Sequence, residues 1–389
     1  MARKATRNAQ GGGTIRQRPD GRWEARFTIG RDPGTGRQIQ KSVYADTQQA
    51  ARKMLQQATV AIDDGIYTEP SKLTVSAWLD IWLNEYSGHL KETTLALYRI
   101  HTDKLIKPAL GAIKLSALTA PTVQAFCNGL QRCDKKGKPQ SPKSVKNIHG
   151  VLHKALQQAV ELGYIRVNPS DACRLPRIER PIIKSLDTSE MARFLEAARE
   201  DEFEREMITA LFTGMRQAEL IGLTWDCVDF QRGTIHLYRQ LQFIKGEYKF
   251  ASLKNDKPRT ITPAQFVMKN LQEQRRAQNE WRLLAGPAWM AGEYVFTNRL
   301  GEHHRKTTIY SHFKSIAKRI GLPEARFHDL RHTYAISSLQ AGDDVKTVQE
   351  NMGHHTAAFT LDVYGHVTEE MKKQSAARMD TFISGITTY

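Results

Sequence analysis

In RWEARFTIG, residues 22–30, Trp23, Ala25, Phe27 and Ile29 alternate with Arg22, Glu24, Arg26 and Thr28. That period of two predicts a strand with one buried face. Pro19-Asp20-Gly21 and Asp32-Pro33-Gly34 supply turns on either side, and RQIQKSVY predicts another strand. A helix follows from about Thr47, with Ala50, Ala51, Met54 and Leu55 facing inward. Residues 14–44 thus read as a small three-stranded sheet, covered by one helix and narrow enough to enter a major groove.

Beyond GIYTEPSK, which reads as a linker, the period changes. Val75, Trp78, Leu79 and Trp82 fall at i, i+3, i+4 and i+7, the stripe of a helix packed on a core. Further helices are expected at 92–106, 120–131 and 141–162, the last with Val145, Ile148, Leu152, Leu156 and Ala159 on one face. The lysine-rich CDKKGKPQSPKSVK between the last two suits phosphates, or is a solvated loop. Pro169, Pro176 and Pro181 mark a break. A mixed segment follows. A helix starts near Thr188 with a T-S-E-M capping box whose glutamate sits one position early. TALFTGMRQAELIGLTW predicts two apolar helices around a glycine turn. GTIHLYR, LQFIKG, EYKFASLK and RTITP are strand-like, and helical periodicity returns from 307. The fold class is therefore multidomain α+β in three parts: a three-stranded sheet plus helix at 1–66, an all-α helical bundle at 73–178, and a mostly α domain with a small β-sheet at 183–389.

Composition sharpens this picture. The 389 residues are 40% hydrophobic and 25% charged, as expected of a globular chain of more than one domain. MARKATRNAQGGG is basic but leads into no apolar run, so it does not read as a signal peptide. No run of about 18 apolar residues predicts a membrane span. Cys127, Cys133, Cys173 and Cys227 lack CxxC spacing and read as reduced, buried cytosolic thiols. The formal net charge is +16 and unevenly spread. Residues 1–72 carry 13 basic and 7 acidic groups and residues 73–180 carry 16 and 8, whereas residues 181–389 carry 28 and 26. The first two segments read as a grip for a polyanion, or as a solubilising surface, with Arg16, Arg18, Arg22, Arg26 and Lys41 of the sheet available to a duplex.

Candidate chemistry lies in the third segment. NMGHHTAAFTLDVYGHV holds His354, His355, His366 and Tyr364. Two adjacent histidines and a third eleven residues on, with no acidic or cysteine ligand to complete the shell, do not make a zinc site. A tyrosine phenol, with a pKa near ~10, becomes a nucleophile only where cations stabilise the phenolate. Arg216, in apolar FTGMRQAELIGL, needs a partner or an anion, and Glu219 three residues on is one such partner. His328 and Arg331 in HDLRH share a helix face, either as a surface pair or as a phosphate holder.

The order Arg216, Lys254, His328, Arg331, His354, Tyr364 resembles that of the tyrosine recombinase (phage integrase) family, R…K…H-x-x-R…G-H…Y. The matching pieces are TGMR, the hairpin lysine in SLKNDKPRTI, HDLRHT, MGH and TLDVYGH. The helical segment ending in LGYIRVNP resembles the family's SAM-like core-site-binding domain. GTIRQRPDGRWEARFTIGRDPGTGRQIQKSVY resembles the arm-binding domain of conjugative-transposon and phage integrases. The resemblance implies that Tyr364 attacks a DNA phosphorus to form a 3′-phosphotyrosine and release a 5′-hydroxyl. Arg216 and Arg331 would clamp the non-bridging oxygens, Lys254 would protonate the leaving oxygen, His328 would assist proton transfer and His354 would donate a hydrogen bond. Glu219 would orient Arg216, and Thr360 lies one helical turn before Tyr364. Neither metal nor ATP is implied. The implied partners are double-stranded DNA at core and arm sites, a homotetramer on DNA, and an excisionase or host DNA-bending protein, in the bacterial cytoplasm with no membrane. Cys227 in LTWDCVD departs from the acidic residue many relatives carry. Lys245, Lys249 and Lys257 compete with Lys254, and Tyr310, Tyr334 and Tyr389 with Tyr364. The C-terminal tail reads as amphipathic, docking on a neighbouring protomer or on its own domain. Two other functions stay open: type IB topoisomerase-like relaxation, which the arm-type domain argues against, and non-catalytic DNA binding, which the full residue set argues against.

Overall fold

The computed structural model describes residues 13–31, 34–63, 73–132, 139–179, 184–253, 256–290, 292–354, 356 and 368–386. The chain divides into two compact units, residues 1–179 and 180–389. In the first, β1 (Thr14–Gln17), β2 (Trp23–Arg31) and β3 (Gln38–Ala45) form an antiparallel sheet in that order, followed by α1 (Gln48–Asp63). Thr47 caps α1, its Oγ1 accepting from the Ala50 amide at 3.2 Å. Ala25 and Phe27 pack against Ala51, Leu55 and Ala58. The inward stripe of α1 is therefore Ala51, Leu55 and Ala58, while Ala50 and Met54, expected inside, are exposed. These two flank the stripe, and a sheet of three strands is too narrow to cover them.

Glu24 also departs from the alternation. It lies on the sheet face away from α1 yet is buried. Its carboxylate accepts from Ser42 Oγ at 2.8 Å, Arg16 Nε at 2.6 Å and Arg26 Nη2 at 3.3 Å, and the two arginines roof it over. The Ser42 hydroxyl and then the Arg16 guanidinium hold this carboxyl at about 2.

The helical part of the first unit has its own core. Thr74 caps α2 (Val75–Ile81), which runs on through a π-helical turn at Trp82–Tyr86. The single helix expected at 92–106 is α3 (Glu92–His101) ending in a second π-turn, Thr102–Ile106, then α4 (Lys107–Leu110). The buried Thr102 hydroxyl bonds back to the Tyr98 and Arg99 carbonyls, both at 2.9 Å, which loosens the helical ladder there. α5 (Ala120–Arg132) and α6 (Pro142–Glu161) complete the bundle. Val145, Ile148, Leu152, Leu156 and Ala159 of α6 are buried as expected. Trp78 is fully buried, and its Nε1 donates to the Ala155 carbonyl at 2.8 Å, locking α2 to α6.

The second unit begins with α7 (Thr188–Arg199), α8 (Glu204–Thr213) and α9 (Gln217–Ile221). The cap of α7 is Asp187 rather than Thr188, so Glu190 occupies the ideal capping-box position. β4 (Val228–Asp229), β5 (Thr234–Leu237) and β8 (Arg259–Ile261) pair as a sheet in the order β4-β5-β8. β6 (Arg239–Ile244) and β7 (Glu247–Ser252) form a hairpin turning at Lys245-Gly246. α10 (Gln265–Ala285), α11 (Lys306–Arg319), α12 (Phe327–Ala341), α13 (Val345–Met352) and α14 (Thr368–Ile386) follow. Leu211, Leu220, Ile235, Ile261, Leu271, Phe313 and Leu330 join helices and sheet in one core. No helix among the described residues is long and apolar enough to cross a membrane.

Trp78→Ala removes both a buried ring and the indole donor. It is expected to cost ~3–5 kcal/mol, read as faster amide exchange along α6 with exchange in α8 unchanged.

Candidate active site

Two glycine turns build the site. α8 ends at Gly214, in the left-handed conformation at φ +63°, where a Cβ would meet the Tyr334 ring at 2.5 Å. This turn delivers Arg216 to the N-cap of α9, where its amide donates to Glu219 Oε2 at 2.9 Å and its Nη1 to Oε1 at 2.8 Å. Glu219 is 1% exposed. The Arg–Glu pair and the anion-binding arginine considered from the sequence thus coincide, since Arg216 stays partly exposed above the carboxylate.

The second turn is Gly353, left-handed at φ +61°, which ends α13. The Gly353 and His354 amides cap the Glu350 and Gln349 carbonyls, both at 3.0 Å. The next three carbonyls each meet an arginine. Arg259 Nε donates to Asn351 O at 2.8 Å, Arg331 Nη2 to Met352 O, and Arg216 Nη2 to Gly353 O at 3.1 Å. Arg331 also reaches the Gly214 carbonyl, so one buried guanidinium ties both turns together. The negative end of the α13 dipole therefore rests on three fixed positive charges.

Arg259 was not singled out from the sequence. It lies on β8, and its fork grips Glu219 with Nη1–Oε1 at 3.0 Å and Nη2–Oε2 at 2.6 Å. Burial would raise the Glu219 pKa, but Arg259 and Arg216 outweigh it and hold the carboxyl at about 2. The available signal was a lone arginine in a strand of the core sheet, the same argument that drew attention to Arg216.

His328 is the one exposed residue in the first turn of α12, beside buried Phe327, Asp329 and Leu330, and its ring is 4.9 Å from that of His332. Burial of the ring among these neighbours, followed by the charges of His332, Arg331 and Arg216, pushes its pKa down to about 4. Burial and then the charges of Arg331 and Arg216 push His354 to about 3. Both imidazoles are neutral at pH 7, fit to donate a hydrogen bond or pass a proton. A cleft of about 310 Å³ opens beside His354, lined by Arg216, Arg259, Gly353, His354 and Lys257 among others.

Lys254, His355, Thr360, Tyr364, His366 and Tyr389 lie outside the described residues, as do Cys133 and the 65–72 linker. Of the rival lysines, Lys257 lines the cleft, Lys249 pairs with Glu247 at 3.2 Å and Lys245 sits in the hairpin turn. Tyr334 accepts from Asn351 Nδ2 at 3.2 Å and packs on Gly214, whereas Tyr310 is exposed on α11. Cys227 is buried with its Sγ 3.4 Å from Thr224 Oγ1, while neighbouring Asp226 takes up Tyr238 and Arg239. Cys127 is buried and Cys173 half-buried, both as free thiols. In the N-terminal sheet, register places Arg16 and Arg26 on the Glu24 face, and Arg18 lies over Tyr44 of that face at 5.2 Å. Arg22 pairs with Asp20 at the turn, and Lys41, opposite Phe27, is on the α1 side. The side chains from 376 to 386 on α14 are exposed.

Residues 184–371 match the profile described as Phage integrase family, and residues 74–131 match that of the phage integrase N-terminal SAM-like domain. A tyrosine recombinase XerC-like protein of Caldanaerobacter subterraneus is 28% identical, over 92% of this chain and 95% of its own length. The ICEBs1 integrase of Bacillus subtilis is 22% identical over 95% of this chain and all of its own. The Tn1549 transposon integrase in complex with transposon right end DNA has a similar fold, with a TM-score of 0.67 at 22% identity, covering 79% of this chain and 100% of that one. The lambda integrase tetramer bound to a Holliday junction gives 0.55 at 21%, covering 88% and 96%.

Glu219→Gln leaves two guanidiniums without their counter-charge, a change expected to cost ~3–5 kcal/mol. Because the Glu219 pKa falls from 4.5 to about 2 on folding, its contribution is complete above 4.5 and lost as pH falls toward 2. Urea midpoints of the two proteins should therefore differ most near pH 7 and converge at pH 2–3. His328 and His354, depressed from 6.5, erode stability in both proteins as pH falls below 6.5.

Proposed function

This chain belongs to the phage integrase family, the tyrosine recombinases, and from that premise we propose how its residues perform site-specific DNA recombination. It cuts and rejoins DNA as the integrase of a mobile element, integrating and excising that element. The observation that carries the reading is the convergence of Arg216, Arg331 and His354 on the Gly353 turn. Guanidiniums fixed in advance, with Arg216 lining the cleft and Arg331 buried behind it, are what a phosphoryl transfer needs, because charge accumulates on non-bridging oxygens in its transition state.

In the proposed reaction the Tyr364 oxygen attacks the scissile phosphorus and the bond from phosphorus to the 5′-oxygen breaks. The strand is left as a 3′-phosphotyrosine with a free 5′-hydroxyl. Arg216 and Arg331 bind the non-bridging oxygens and His354 donates to one of them. His328 takes part in removing the phenol proton, and Lys254 gives a proton to the leaving oxygen. Attack by a 5′-hydroxyl from the other duplex reverses these steps and joins the new strand. The phosphodiester bond energy is kept in the protein–DNA bond, so no ATP is consumed.

Residues 1–66 are proposed to bind arm sites, 73–178 core sites and 183–389 to catalyse. Arg16 and Arg26 gathered by Glu24, and Arg18 over Tyr44, share one sheet face with Arg22 at its end, which supports docking on a duplex. Lys41 lies on the opposite, α1 side of β3, so the register does not support the contact with the same duplex that was expected of it. Four protomers act on two duplexes, as in the lambda integrase assembly, with an excisionase or host DNA-bending protein as accessory and the bacterial nucleoid as the place of work. Domain-length similarity to the ICEBs1 integrase favours exchange between two sites over relaxation of one.

On a nicked duplex carrying the core site, the wild-type chain should give an SDS-resistant protein–DNA band that Tyr364→Phe abolishes. A band that survives would move the nucleophile to another tyrosine. Arg331→Ala should slow its formation by ~10²–10³-fold. Arg16→Ala or Arg26→Ala should weaken binding to arm DNA at all sequences and lower the salt slope of log K by about 1 each.

A further inference from the structure

Arg259 has no role in the reaction described above, yet it is more deeply buried than the proposed clamp residue Arg216. Its side chain is 8% exposed, and all three of its nitrogens are engaged. Two hold the Glu219 carboxylate and the third holds the Asn351 carbonyl. Its aliphatic stem packs under Gly353, where a Cβ would lie 3.1 Å from Arg259 Cδ. The residue therefore joins three elements that arrive from distant parts of the chain: β8, α9 and the end of α13.

We propose that Arg259 is a positioning residue for strand cleavage, holding Arg216 through Glu219 and the Gly353–His354 turn through Asn351, so that both groups face one phosphate. The inference rests on the recombinase reading of the cleft. Glu219 has two oxygens and two arginines, and each arginine takes part of the carboxylate. With Arg259 gone, the buried carboxylate draws Arg216 down onto both its oxygens and away from the cleft. The Asn351 carbonyl also loses its donor, and the turn carrying His354 loses the stem beneath it. Lysine keeps the charge but has neither the fork for Glu219 nor a second direction for Asn351. A mere charge-balancing role would be met by lysine; the positioning role would not.

The test uses the duplex on which the wild-type chain forms its covalent adduct, nicked near the mapped phosphate. It is made once with the natural phosphate and once with a methylphosphonate there. The neutral methylphosphonate lacks one of the charged oxygens that the clamp neutralises. Rates are measured per active site from burst amplitudes, so partial unfolding lowers the amplitude and not the rate. Arg259→Lys and Arg259→Gln should cleave the natural phosphate ~10²-fold more slowly than wild type, with the deficit shrinking to within about tenfold on the methylphosphonate. Natural-phosphate cleavage by Arg259→Lys at the wild-type rate would overturn the proposal, as would an equal deficit on both substrates. A wild-type chain that binds duplex but forms no adduct would instead remove the recombinase reading itself.

Discussion

The site depends on how the last carbonyls of α13 are satisfied. A helix end leaves four carbonyls without intrahelical donors. Here two are closed by the Gly353 and His354 amides of the left-handed turn, the other two, of Asn351 and Met352, are each taken by an arginine, and a third arginine takes the carbonyl of Gly353 just past the helix. The arginines come from β8, α12 and the start of α9, so one helix terminus fixes three elements in register. Glu219 completes the lattice from below, as a buried carboxylate shared by Arg216 and Arg259. Removing one member leaves a buried charge or carbonyl exposed to no compensating group, which makes the arrangement cooperative.

The same lattice explains the electrostatics of the cleft. Burial first, and then the excess positive charge of three guanidiniums against one buried carboxylate, hold the His354 and His328 imidazoles neutral. The charge awaits an anion, and a phosphodiester is the anion that a basic multidomain chain with net charge +16 would bring there. Because the donors are already fixed by backbone carbonyls, little reorganisation remains when the phosphate arrives. The N-terminal sheet uses a related device, in which Glu24 gathers Arg16 and Arg26 on one face.

Much of this was legible in the sequence. The first helix of the second segment followed from the spacing of Val75, Trp78, Leu79 and Trp82, because a one-sided core imposes the helical period directly. Arg216 with Glu219 could be paired from a three-residue spacing. The order and separation of His328, Arg331, His354 and Tyr364 carried the family resemblance that implied phosphoryl chemistry, and for Tyr364 and Lys254 that resemblance remains the support. What escaped were contacts across large sequence separations. Arg259 meets Glu219 from forty residues away, and no local pattern announces that. The buried Glu24 looked like a solvent-facing residue because its cover comes from Arg16 and Ser42 on neighbouring strands. Met54 was placed inside because helix periodicity gives the centre of an apolar stripe better than its edges.

The central claim is that the arginine cluster is assembled before DNA arrives. An arginine-selective ¹⁵N spectrum of the free chain tests it most directly, with Arg259→Lys and Arg331→Lys to assign the signals. The account predicts separate, slowly exchanging Nε–H resonances for Arg259 and Arg331 without DNA, changed little by adding a duplex. Signals averaged with those of the surface arginines in the free chain, and resolved only once a duplex is bound, would contradict it.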